Sequence, residues 1–204
     1  MIETVTIDPR IKVRAAKDLI WQPRAIHVTE IEEAQVKPFA DYVSEAVEAG
    51  MPVLPVVIDT LGGDLYALFA MADILDSVHI PVATIIAGKA MSAGAALFCC
   101  GTNGHRYIGP HASLMIHDVS SEEVSGKPHE MKVGAEETER LNTLMYEFME
   151  RKIGKRRGYL LKLAQKRGHA DWYLSPEEAV KLGLANHIKI PTVTTKVTVE
   201  TVIE

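Results

Sequence analysis

Two short β-branched runs, Val53–Asp59 and Val82–Ala87, each lead into glycine and then into a helical stretch. A continuous apolar run of this length reads as a strand buried on both faces. Helical patterns stand on either side. Glu32–Ala49 carries Val36, Phe39, Ala40, Tyr42, Val43 and Val47 at helical spacing and stops at Gly50. Leu65–Val78 follows the first glycine turn, and the small-residue stretch Met91–Cys100 follows the second. A short strand is expected at Ala25–Thr29. Strands alternating with helices in this way predict an α/β core with a largely parallel sheet. Such sheets place ligands at the carboxyl ends of their strands, where both glycine turns fall.

Further along, Arg106–Ile108 and Ser113–His117 read as strands and Ser120–Pro128 as a polar loop. Met131–Ile153 reads as a long amphipathic helix, with Leu141, Leu144, Met145, Phe148 and Met149 near one face. A basic helix is expected at 156–166. Another opens at Ser175-Pro176-Glu177-Glu178, with Ser as N-cap and Glu178 in the capping-box position, and ends at Gly183. Thr192–Ile203 alternates like a strand, and residues 1–18 read as a loosely held segment. A single domain over 1–204 is expected at this length.

Composition excludes several classes. Hydrophobic residues make up 47% and charged residues 24%, an ordinary globular balance. The net charge of −5 offers no basic field for nucleic acid. No apolar stretch reaches the roughly 18 residues of a membrane span, so no membrane contact is expected. Cys99 and Cys100 are adjacent in an apolar run, which suits buried thiols rather than a disulfide framework, and a reducing, cytoplasmic setting is expected. No H-E-x-x-H or C-x-x-C spacing occurs, so neither metal nor cofactor is expected.

The chemistry-bearing residues lie at the strand ends. In Gly88-Lys89-Ala90-Met91-Ser92-Ala93-Gly94-Ala95, a buried strand delivers a serine to a helix start among small neighbours. Free amides there favour a developing oxyanion. The same small residues would equally serve tight helix packing, and the G-x-S-x-G pattern is absent. Leu61-Gly62-Gly63 can aim amides into a cleft or form an ordinary turn, and no P-loop lysine follows. Of eight histidines, His117 ends a strand where a general base would stand. For a third group orienting it, Asp171, Asp118 and Asp59 are all open, although Asp118 should point away from His117 on a strand.

Gly62-Gly63, Gly88–Ala95, Met115-Ile116-His117 and Asp171-Trp172-Tyr173-Leu174-Ser175-Pro176-Glu177-Glu178-Ala179 with Gly183-Leu184 together resemble the caseinolytic protease (ClpP-like serine peptidase) family. The resemblance covers about 25–188. It implies the ClpP/crotonase-type α/β fold, β/α repeats with a projecting handle helix, here about 119–153, whose part at 119–134 would be strand-like and border the substrate cleft. It implies Ser92 as nucleophile, His117 as general base and Asp171 as orienting acid. The oxyanion donors would be the backbone N–H groups of Gly63 and Ala93. It also implies peptide or unfolded-protein substrates and a homo-oligomer of seven-membered rings, stacked in pairs, with an ATP-driven AAA+ unfoldase as candidate partner.

The chain departs from the family pattern at Thr60-Leu61, at Lys89 where glutamine is usual, and at Ala170, where an arginine of the ring–ring contact usually precedes the triad aspartate. The N-terminal segment lacks the family's gate pattern. Three other readings stay open. One is a crotonase-like thioester enzyme, one a Ser–Lys peptidase with Lys89 as base, and one a non-catalytic ring-forming scaffold.

Overall fold

The apolar runs expected to be buried form the middle of one sheet. The computed structural model is described for residues 25–120 and 126–192, so the expectations for 1–18, for 121–125 and for nearly all of 192–203 lie outside the described residues. The chain runs β1 (Ile26–Val28), α1 (Glu33–Glu48), β2 (Leu54–Thr60), α2 (Leu65–Ser77), β3 (Val82–Met91), α3 (Ala93–Phe98), β4 (Arg106–Ile108) and β5 (Ser113–Ile116). Then follow α4 (Pro128–Lys152), α5 (Tyr159–Lys166), β6 (Trp172–Leu174), α6 (Pro176–Leu182) and β7 (His187–Ile188). Strands β1-β2-β3-β4-β7 lie side by side, all parallel, and β5 pairs with β3 while β6 pairs antiparallel with β5. This is the mostly parallel α/β architecture expected of a ClpP-type fold.

Alternate side chains of β2 fill the centre: Leu54, Val56 and Ile58 are fully buried. Burial of each such side chain contributes about 1.5–3 kcal/mol. Helix α3 packs against β2 through glycine. A Cβ on Gly94 would meet Thr60 Cγ2 at 2.4 Å, too close for any side chain. The tight-packing reading of the small residues therefore holds at Gly94.

Several elements differ from their sequence expectations. The second strand does not stop at Ala87 but runs through Gly88 to Met91. It does so because it changes partner, with Thr84–Ile86 beside β4 and Lys89–Met91 beside β5. Gly88, at φ 123°, is a bend inside a strand rather than a turn after one. Helix α4 begins at Pro128, not Met131, so 128–134 is helical rather than loop or strand-like. Proline suits the first helical position, and the Lys127 N–H donates to the Glu130 carboxylate at 3.0 Å. The short strands β6 and β7 have no run long enough to announce themselves. The Ser175 cap forms as expected, its hydroxyl accepting from the Glu178 N–H.

The two halves of α4 differ. Leu141, Met145, Tyr146, Phe148 and Met149 are buried, whereas nearly every described residue from Gly126 to Arg140 is exposed. At 1.5 Å per residue, the first half reaches roughly 20 Å along its axis.

Where α4 ends, a buried carboxylate starts the next helix. Glu150 is 1% exposed and accepts N–H bonds from Gly158 (2.6 Å), Leu160 (2.7 Å) and Leu161 (3.2 Å). Glu150→Ala leaves those donors unpaired, and we expect a loss of about 3 kcal/mol. The melting temperature should fall by roughly 10 °C. A fall of less than about 2 °C would contradict this role.

Candidate active site

Three registers bring distant residues to one place. Met91 of β3 pairs with Met115 of β5, and the Ser92 N–H donates to the Met115 carbonyl at 2.9 Å. The residue after β3 is thereby set beside the end of β5, where His117 stands. Strand β6 runs antiparallel to β5, with Trp172 opposite Ile116. The start of β6 therefore lies beside the end of β5, and Asp171 reaches His117.

The side chains meet accordingly. His117 Nε2 lies 2.9 Å from Ser92 Oγ, a hydrogen-bond distance. His117 Nδ1 lies 3.4 Å from Asp171 Oδ1, an ion-pair distance long for a hydrogen bond. With Nδ1–H facing the carboxylate, Nε2 is left to accept the serine O–H. The Asp171 side chain is 55% exposed, against 27% for His117. The acid is thus the most solvated of the pair.

Ser92 has φ 53° and ψ −121°, a backbone region that non-glycine residues rarely occupy. Such a residue costs about 1–3 kcal/mol, and the surrounding structure must hold it there. The hydroxyl is turned out at a sharp strand-to-helix corner, as in a nucleophile elbow, although the usual glycine pattern is missing. The same conformation delays the expected helix, so α3 begins at Ala93 and not at Met91.

The Gly62-Gly63 turn is pressed against this corner. Thr60, buried at the end of β2, accepts from the Gly62 N–H at 3.1 Å. A Cβ on Gly62 would stand 2.8 Å from Ser92 Cβ and 3.3 Å from the Ala93 nitrogen. One on Gly63, at φ 148°, would stand 2.2 Å from the Ile31 carbonyl oxygen. Both glycines are therefore required by close approach. Ala93 directly follows the serine, and Gly63 directly follows the Gly62 that lies against it.

The rival acids lie elsewhere. Asp59 pairs with Lys89 Nζ at 2.9 Å, and that bond holds its carboxyl below the usual range. Lys89 is thus engaged by a carboxylate. Asp118 lies past the end of β5 and finds its partners away from His117. Its Oδ1 accepts from the Tyr146 hydroxyl at 2.9 Å, and its Oδ2 lies 2.5 Å from His169 Nδ1. That second His–Asp pair had no sequence signal beyond the residue types.

Cys99 and Cys100 are free and buried. Burial pushes the Cys99 thiol up to about 12 and the Cys100 thiol higher still, so neither is a thiolate nucleophile near neutral pH. Among the described residues no cluster of His, Cys, Asp and Glu could hold a metal ion, and no helix is long and apolar enough to cross a membrane.

With this geometry in place, one comparison bears on it. The family model described as Clp protease matches residues 41–191, a span that contains Gly63, Ser92, Ala93, His117 and Asp171.

Proposed function

The chain belongs to the Clp protease family, and from that premise we propose that it is a serine endopeptidase that cleaves peptides or unfolded proteins through Ser92, His117 and Asp171. The observation that carries this reading is the 2.9 Å contact between His117 Nε2 and Ser92 Oγ at a strained corner. Family membership supports a peptidase or a homologue of one. The hydrogen-bonded serine–histidine pair favours the peptidase.

The chemistry follows from the atoms. His117 Nε2 takes the Ser92 proton as Oγ attacks the scissile carbonyl carbon. The carbonyl oxygen becomes an oxyanion, which the backbone N–H groups of Gly63 and Ala93 stabilise. The position of Gly62, the residue before Gly63, against the Ala93 nitrogen supports this pairing. His117 then gives its proton to the departing amine, and the C–N bond breaks. Water, activated by the same imidazole, hydrolyses the acyl-enzyme and restores Ser92. Asp171 holds Nδ1–H and stabilises the imidazolium that forms between the steps. The chemistry needs neither ATP nor a metal.

The Ser–Lys alternative has Lys89 as a neutral base. The geometry disfavours it, because Lys89 Nζ is turned to Asp59 at 2.9 Å while Ser92 Oγ has His117 Nε2 as its partner.

Assembly is part of the proposal. The chain forms a homo-oligomeric ring enclosing a chamber, with the exposed half of α4 as the handle that meets a second ring. The whole of 1–204 acts as one protease domain. Ala170 leaves the ring–ring contact without its usual arginine. An AAA+ unfoldase is the partner such a chamber needs for folded substrates. Native mass should be seven or fourteen times the 22.4 kDa chain.

The experiment that tests the reading is incubation with an unfolded polypeptide, followed by identification of new termini. Wild type should cut at internal peptide bonds, and Ser92→Ala should not. Equal cutting by both proteins overturns the proposal. No cutting by either would leave the ring-forming, non-catalytic homologue as the better description.

A further inference from the structure

The segment that carries Asp171 is held by an unusual contact. Residues 167–171 link α5 to β6 through two successive left-handed residues, Gly168 at φ 72° and His169 at φ 58°. Glycine takes that conformation freely. A residue with a Cβ pays roughly 1–2 kcal/mol, so something must hold His169 there. Its backbone N–H donates to the Ala164 carbonyl at 3.1 Å, which closes the end of α5. Its side chain does the rest, through the 2.5 Å contact from Nδ1 to Asp118 Oδ2.

Asp118 is a junction. It follows the proposed base His117 directly, accepts from Tyr146 of the buried half of α4, and accepts from His169 two residues before the proposed acid. One carboxylate therefore ties together the end of β5, helix α4 and the Asp171 segment. On the other side of that segment, the Arg167 guanidinium sits 5.3 Å over the Trp172 ring, and Trp172 pairs with Ile116. Asp171 itself is half exposed, and among the described residues its carboxylate shows no side-chain contact except that with His117. Its place is set by its backbone, and its backbone by these neighbours.

We propose that the Tyr146–Asp118–His169 relay holds Asp171 in register with His117, which makes Asp118 and His169 positioning residues of the Ser92 site. The inference rests on the triad reading above. The 3.4 Å separation of His117 and Asp171 has little slack. A further shift of about 1 Å breaks the contact, and misplacement on that scale can cost on the order of 10²-fold in rate.

The test is the rate at which Ser92 is modified by a small fluorophosphonate, in which an Oγ–P bond forms and fluoride leaves. It is measured on the whole chain, with melting temperature as a control for folding. His169→Ala removes the bond from an exposed residue, and Asp118→Ala removes the junction. Each should slow modification about tenfold to 10²-fold. His169→Asn should recover to within about threefold, because asparagine tolerates the left-handed backbone and its amide can donate to Asp118. In an Asp171→Asn background, His169→Ala should slow the reaction no further, since both changes act through one contact.

Wild-type rates in both alanine variants overturn the inference. So does a loss that persists in full on top of Asp171→Asn, which marks a general structural role. Failure of the underlying reading looks different. There the wild type is unmodified, or Asp171→Asn alone reacts as fast as wild type, and the inference falls with the triad.

Discussion

His117→Ala should lower peptide hydrolysis by about 10⁵–10⁶-fold, while Lys89→Met should leave it within about threefold. The reasoning is local. His117 Nε2 is the only side-chain nitrogen within hydrogen-bond reach of Ser92 Oγ among the described residues. Without it the hydroxyl keeps its proton at neutral pH and is a poor nucleophile. What survives is the contribution of binding and of the oxyanion amides, roughly 10³–10⁴ over water. Lys89 sits in its ion pair with Asp59. Cleavage rates of an unfolded polypeptide by the two variants check this. The reverse pattern would make Lys89 the base.

Asp171→Asn should reduce kcat by about 10²–10³-fold with KM little changed. Where such an acid is buried, the corresponding change costs about 10⁴-fold. The smaller figure follows from exposure. Asp171 is 55% exposed, so its charge is screened by water and its attraction to the imidazolium is weaker. Its remaining work is to fix the tautomer with Nδ1–H facing the carboxylate. Asparagine can present an amide N–H there and favour the wrong tautomer. A kcat within about threefold of wild type would mean that Asp171 has no part in the reaction.

Much of the fold was legible because the buried strands announce themselves. Val53–Asp59 and Val82–Ala87 are short runs rich in β-branched residues, and both lie in the sheet as β2 and β3. Gly50 and Gly183 mark helix ends by their left-handed backbone. Strand β6 was not legible, because Trp172-Tyr173-Leu174 is too short a run to carry a period. Yet its antiparallel pairing with β5 is what brings residue 171 beside 117. The extension of β3 past Gly88 was hidden for a different reason. A glycine reads as a break, and here it is a bend that lets one strand pair with two partners in turn.

In the sequence the candidate site is legible from residue types, glycine turns and a resemblance, not from contacts. No periodicity could show that Ser92 takes a positive φ, since that depends on the Gly62-Gly63 turn pressed against it. The Asp118–His169 pair joins residues 51 apart in the chain and has no motif. Glu150 was equally silent. A glutamate near the end of an amphipathic helix reads as solvated, whereas here it is buried under the backbone amides of the next helix.

The central claim is that Ser92 is an activated nucleophile. Intact mass after treatment with a fluorophosphonate, on wild type and on Ser92→Ala, tests it most directly. The account predicts one adduct per chain on wild type and none on Ser92→Ala. A folded wild-type protein that takes up no adduct, or a Ser92→Ala protein that takes up as much, would contradict it.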